Sequence, residues 1–199
     1  MTKTRTITYT ALFAAIAAVL MYFEFPLPFM PPFLKVDLSG AATMIAGFTM
    51  GPVSAVIVTL IKDLVHVLSS QTGGVGELAD FLCTSAFAVT ASVIYRRCHT
   101  RKGALVSCGA AIAVMTVCGM LANRFLLIPF YSKIMPIDAI LSACAQINPL
   151  IGSLDTYILF GAGPFNLLKG VILSLITVLL YKRLSSWMKT VHFPQRHRG

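Results

Sequence analysis

Residues 103–130 read "GALVSCGAAIAVMTVCGMLANRFLLIPF", with Arg124 the one ion in the run. A stretch this long and this apolar exceeds the ~20 residues that a helix needs to cross about 30 Å of hydrocarbon. Lipid offers no water to satisfy peptide groups, so such a run folds as a helix that bonds its own backbone. Comparable runs lie at about 6–25, 76–97 and 164–186, with a further pair packed into about 38–51 and 52–70. The expectation is an all-α integral membrane protein of six transmembrane helices. Residues 1–190 form its single domain, and 191–199 form a cytoplasmic tail. Composition agrees, since 57% of the 199 residues are hydrophobic and 12% charged, more apolar than one soluble core requires.

The net charge of +9 raises the question of nucleic acid, but the placement of the cations answers it. Lys3, Arg5, Arg96, Arg97, Arg101, Lys102, Lys182, Arg183, Lys189, Arg196 and Arg198 all fall on one side if both termini are cytoplasmic. That is the positive-inside pattern of a multi-pass protein in a bilayer. No basic stripe is interleaved with aromatics, so no nucleic-acid partner is expected. The five cysteines lack metal-ligand spacing and lie mostly inside apolar runs, so they read as small buried residues. Cys98 and His99 sit side by side without further ligands, and no metal site is expected. The first run continues as a full span with no small-residue cleavage pattern at its end, so no cleaved signal is expected.

Between the first two helices, "PLPFMPPFLKVDLSG" (26–40) carries four prolines, which disfavour helix and favour extended backbone. Phe25, Leu27, Phe29, Met30, Phe33 and Leu34 make it too apolar for a hydrated loop. It is expected to fold over the outer helix ends as a lid, which implies a cavity beneath, because non-helical backbone at that depth must be buried or line one. The following helix is short, about 20 Å at 1.5 Å per residue, and leaves room for the lid. In the first helix, Ala11, Ala15 and Ala14, Ala18 recur at four-residue spacing, a small-residue strip that permits close helix approach. In "LIKDLVHVL", Lys62 and His66 share a face while Asp63 diverges by about 100°. Asp63 and His66 read either as interhelical pairing groups or as a proton relay.

The glycine-rich "SSQTGGVGELADF" (69–81) leads into a helix with Gly76 and Glu77 in its first turn, where a carboxylate suits the positive helix end. It lacks the phosphate-loop pattern, which occurs nowhere in the chain. Any use of ATP must therefore come from a partner. "LANRFLLIPFY" places Asn123 and Arg124 before Pro129, and residues 131–163 read as a long external connection of mixed polarity. In "GPFNLLKGVILS", Gly163-Pro164 resembles a helix start, with Asn166 in the first turn and Lys169 about 7–8 Å further along the axis than Pro164. These two are i and i+3 and point the same way. Either Lys169 snorkels to the outer interface, or it faces a polar ligand beneath the lid together with Asn166. No hydrolytic motif is present, so the chain is not expected to be an enzyme.

Taken together, "LPFMPPFLKVDLSG", "IAGFTMGPVSAVIVTLIKDLVHVL", "TGGVGELADF", "LANRFLLIPFY" and "GPFNLLKG" resemble the riboflavin-specific substrate-binding (S) components of energy-coupling factor (ECF) transporters. The resemblance covers nearly the whole chain. It implies a six-helix subunit in the bacterial cytoplasmic membrane that captures riboflavin from outside as a transported ligand, with no resident cofactor. It also implies a transmembrane coupling subunit and two ATP-hydrolysing subunits as partners, the former docking on Ala11, Ala14, Ala15 and Ala18. Asn166 and Lys169 match the family's polar contacts to the flavin. Asn123, the lid residues Leu34, Lys35 and Asp37, and Gly76 and Glu77 of the turn occupy motif positions as well. One departure is Asp80, where the family pattern leads one to expect asparagine. The alternatives that remain at this stage are a proton-coupled carrier using Asp63 and His66, and an S component for a related flavin or another vitamin.

Overall fold

The computed structural model describes residues 3–27, 30–31, 34–70, 72–98, 100–134 and 136–190. Phe29 and Phe33 of the proline-rich loop, His99, and the tail 191–199 with Arg196 and Arg198 lie outside them. At the centre stands α2 (Ser39–Met50), in which every residue from Ser39 to Phe48 is buried. It consists of small and apolar residues on all sides, and a helix without a polar face belongs in an interior. Its Ala42 and Ala46 pack on Ala14 and Ala17 of α1 (Lys3–Met21) and Val58 of α3 (Pro52–Val67). Its opposite side, Ala41, Met44 and Phe48, joins Phe87 of α4 (Val75–Arg97) and Met115 of the helix that follows α4. Glycines bring these backbones close: a Cβ at Gly47 would sit 2.1 Å from Ser92 Oγ. Gly51 turns α2 into α3 at φ 110°, a conformation that favours glycine.

Two further helices each contain a π-helical stretch. α5 runs as Arg101–Ala122, a π segment Asn123–Leu127, and Ile128–Tyr131. The last helix, α7, runs as Leu154–Tyr157, a π segment Ile158–Ala162, and Gly163–Thr190. Each π segment immediately precedes a proline turn, Pro129 and Pro164. A proline inside a helix has no N–H and clashes with the carbonyl four residues back, and a widened turn accommodates both defects. At α7 the carbonyl four residues before Pro164 belongs to Phe160, and the Asn148 side-chain amide donates to it at 3.4 Å.

These features correct three expectations. Gly163-Pro164 does not begin the last helix: it lies within α7, whose start is at Leu154, where Ser153 and Thr156 form a capping box. The connection 131–163 is not merely a loop, since α6 (Ile137–Ile147) occupies part of it. Ile140 and Cys144 of α6 pack on Ile151, Tyr157 and Ile158. The described residues thus form seven helices rather than six. Four of them, Lys3–Met21, Val75–Arg97, Lys102–Tyr131 and Leu154–Leu180, are long and apolar enough to cross a membrane.

The proline-rich loop forms a two-stranded antiparallel ribbon, β1 (Phe25–Pro26) with β2 (Lys35–Val36), in the register Phe25 to Val36. Leu34 and Val36 are buried against Phe165 of α7. In α1, Ala14 is buried at 2% exposure and faces α2, whereas Ala11 and Ala15 are exposed and Ala18 is half-buried. The alanines therefore divide between an inner and an outer face.

If α2 is the packing centre, Gly47→Ala should cost about 1–3 kcal/mol, since the new methyl meets Ser92 and the Ala88 backbone with no free space. Val53→Ala, at a position 72% exposed, should stay within about 0.5 kcal/mol. Thermal melting in detergent compares the two, and equal midpoints would contradict the central role of α2.

Candidate substrate site

Beneath the ribbon lies a cavity of about 630 Å³. Its wall contains Leu34, Lys35 and Asp37 from the loop and Gly76 and Glu77 from the start of α4. Asn123 of α5 and Asn166 and Lys169 of α7 complete that set. Residues from four distant parts of the chain thus border one space. Ala11, Ala14, Ala15 and Ala18 lie away from it on α1.

Lys169 lies fifteen residues beyond the start of α7, at the wall of the cavity. Its ammonium is turned inward onto carboxylates, which speaks against the snorkelling reading. Lys169 is 6% exposed, and its Nζ donates to Asp80 Oδ1 at 2.7 Å and to Asp37 Oδ2 at 3.1 Å. The second oxygen of Asp80 accepts from Lys62 at 2.5 Å, and Lys62 also donates to Asp63 at 2.6 Å. The result is an alternating chain of charges, Asp63, Lys62, Asp80, Lys169, Asp37, linking α3, α4, α7 and the loop. Asp37 closes the chain by accepting from the Ser39 backbone N–H at 2.9 Å and from the Ser39 hydroxyl.

Asp80 is therefore the residue that sequence reasoning underused. Its role rested on a family position, whereas its actual partners come from helices distant in sequence. The signal available was stoichiometric: two lysines in apolar helices, Lys62 and Lys169, require carboxylates, and Asp80 was at hand. Lys62 and Asp63 diverge around α3, yet the long lysine stem curls back to reach its neighbour.

A second cluster lies at the cavity wall nearer the turn. His66 Nδ1 lies 2.9 Å from Glu77 Oε1, and the Ser70 and Thr72 hydroxyls donate to Glu77 Oε2 at 2.8 and 3.3 Å. The His66 ring lies 5.2 Å from that of Tyr22, tilted at 54° to it. Glu77 thus carries its charge on three donors, which suits a carboxylate with little solvent. His66 and Asp63 belong to separate clusters, Asp63 with Lys62 and His66 with Glu77.

The two amides are also anchored. Asn166 Nδ2 donates to Ala162 O at 2.8 Å, which leaves Oδ1 and one N–H for the cavity. Asn123 Nδ2 donates to Gly119 O and its Oδ1 accepts from the buried Tyr157 hydroxyl, both at 2.8 Å. Lys169 has three N–H groups, of which two are engaged. A ligand in this space meets the Asn166 amide, the Lys169 ammonium and apolar walls from Leu34, Met115 and Phe165.

Removal of Asp80 takes the shared carboxylate from two buried ammoniums and leaves Lys62 with Asp63 alone and Lys169 with Asp37 alone. Asp80→Ala is expected to lower stability by about 3–5 kcal/mol, the range for breaking a buried pair. Glu24→Ala breaks the pair with Lys35, which is about a third exposed, and should cost no more than about 1 kcal/mol. Chemical denaturation in micelles ranks them, and similar losses would argue against the buried bridge.

Comparison with known proteins places these features in a family. Residues 5–181 match the model of the ECF transporter substrate-specific component. The chain is 34% identical over 181 residues to the riboflavin transporter RibU of Staphylococcus aureus (strain TCH60), covering 91% of this chain and 90% of that protein. Identity to the riboflavin transporter FmnP of Bacillus subtilis (strain 168) is 26% over 190 residues, covering 94% and 95%. A solved structure described as the S component of a bacterial ECF transporter superposes with a TM-score of 0.75 at 33% identity, covering 94% of this chain and 99% of that one. This chain is a multi-pass membrane transport protein rather than an enzyme, and it belongs to the substrate-specific components of bacterial ECF transporters.

Proposed function

We propose that the protein captures riboflavin from outside a bacterial cell and holds it beneath the proline-rich loop for ATP-driven uptake. The observation that carries this reading is the arrangement of Asn166 and Lys169 on one face of α7, at the wall of a cavity of about 630 Å³. That size falls within the roughly 300–1,000 Å³ of small-molecule sites. Isoalloxazine is flat and largely apolar, with carbonyl and ring-nitrogen acceptors and an imide N–H along one edge. Asn166 Oδ1 accepts from such a donor, and the unused Lys169 N–H donates to a carbonyl, a ring nitrogen or a ribityl hydroxyl. The names of the relatives support the flavin as against another vitamin.

In this reading both termini are cytoplasmic, the cavity opens outward, and the loop acts as its lid. A transmembrane coupling subunit and two ATP-hydrolysing subunits supply the energy, because the chain carries no phosphate loop of its own. Ala11 and Ala15, exposed on α1, are the part of the alanine strip available to the coupling subunit. A proton-coupled carrier fits less well, since Asp63 and His66 lie in different hydrogen-bonded clusters.

Purified protein should quench riboflavin fluorescence with a stoichiometry of one, and absence of quenching by folded protein would refute the reading. Lys169→Ala should weaken binding by about 1.5–3 kcal/mol, the value of a hydrogen bond to a charged group. Vesicles containing this chain alone should show no accumulation of riboflavin under a proton gradient. Accumulation there would favour the carrier.

A further inference from the structure

Asn123 and Asn166, which border the cavity from two helices, converge on one residue that has no side chain. Gly119 lies on α5 and borders the cavity itself. Its carbonyl accepts from Asn123 Nδ2 at 2.8 Å. Its Cα faces the Asn166 amide so closely that a Cβ built there would lie 2.2 Å from Asn166 Cγ and 2.4 Å from both Oδ1 and Nδ2. Atoms at that separation overlap, so one side must move.

Asn166 has little freedom to do so. Its side chain is short, 5% exposed, and tied through Nδ2 to Ala162 O at 2.8 Å. Ala162 belongs to the π segment of α7 beside Pro164. Displacing the amide breaks that bond and swings Oδ1 away from the direction in which it faces the cavity. Gly119 cannot retreat either, since its carbonyl is held by Asn123, and Asn123 is held in turn by the Tyr157 hydroxyl at 2.8 Å. Tyr157 is fully buried.

We propose that Gly119 is a positioning residue for ligand recognition: its missing side chain is the space in which Asn166 sets its amide toward the ligand, so that Gly119 acts through Asn166. The proposal rests on the flavin-binding reading. It explains a glycine in the interior of a membrane helix by a role other than helix contact. Another glycine of α5, Gly109, has no atom within 4 Å of an added Cβ, so it serves as an internal control.

The experiment is a double-mutant cycle on riboflavin affinity, read by fluorescence quenching on purified protein, with the ligand-free melting temperature of each variant recorded. Gly119→Ala should weaken binding at least about tenfold, equivalent to 1.4 kcal/mol. Gly109→Ala should leave affinity unchanged. In an Asn166→Ala background, where no amide remains to be displaced, Gly119→Ala should change affinity by less than about threefold, because coupled residues are non-additive. Equal losses from Gly119→Ala in both backgrounds, or no loss in the parent, would overturn the positioning role while leaving riboflavin binding intact. A parent that binds no riboflavin would overturn the functional reading and this proposal with it.

Discussion

Two lysines buried in a membrane protein set the terms for the rest of the structure. An unpaired ammonium at that depth costs several kcal/mol in desolvation even after relaxation, so Lys62 and Lys169 each require a carboxylate within hydrogen-bonding distance. Asp80 serves both, one oxygen to each. That single sharing draws α3, α4 and α7 to a common point and pulls Asp37, with the loop that carries it, down onto α7. The apolar contacts of Leu34 and Val36 with Phe165 follow the same geometry. Apolar packing alone is weakly directional, whereas a chain of alternating charges admits one order of partners.

The prolines act on a different link, from sequence to helix shape. Pro129 and Pro164 each sit just beyond a π segment, on the two helices that carry Asn123 and Asn166. The widened turns shift the phase of every residue that follows relative to the turns before. Asn123 begins one π segment and Asn166 anchors on the last residue of the other. The defects that the prolines impose are thus located beside two of the polar groups that border the cavity. The Asn148 amide donates to Phe160 O and so gives the freed backbone acceptor a partner.

Much of this was legible in the sequence, because it depends on local spacing. The spacing of Asn166 and Lys169 put them on one face without reference to anything else in the fold. The density of prolines in 26–40 excluded helix, and its apolar residues called for cover. What escaped were features set by partners far away in the chain. Gly163-Pro164 satisfies every local criterion for a helix start. Only the preceding residues, with Ser153 and Thr156 capping ten positions earlier, show that the helix had already begun. That error put Lys169 near the start of its helix and kept the snorkelling reading alive. The helix Ile137–Ile147 was hidden for another reason: Ile137, Ile140, Leu141, Cys144 and Ile147 repeat at helical spacing, but the polar residues between them made the segment resemble a connection. The charge pairing of Asp80 could not be assigned from its own neighbourhood, since its two lysine partners lie 18 and 89 positions away.

Under the proposed reading, in which the loop is a lid, the charge chain also constrains how a ligand enters. Asp37 is the only member of the chain that belongs to the loop, and it is bonded to Lys169 at 3.1 Å, the longest of the ion-pair distances in that chain. Moving the loop therefore breaks the Asp37 contact while Asp80 continues to hold Lys169 at 2.7 Å. Lys169 never becomes a bare ammonium in hydrocarbon, and the cost of opening is reduced to one bond plus the apolar contacts at Phe165. Asp37 for its part stays bonded to Ser39 at the start of α2, so its carboxylate keeps partners on the open side too. A bound molecule that offers Lys169 an acceptor adds a contact at the same ammonium. On that reading, ligand binding and loop closure are linked through Lys169 in the thermodynamic sense: whatever differential affinity the ligand has for the closed arrangement is the free energy by which it favours closure.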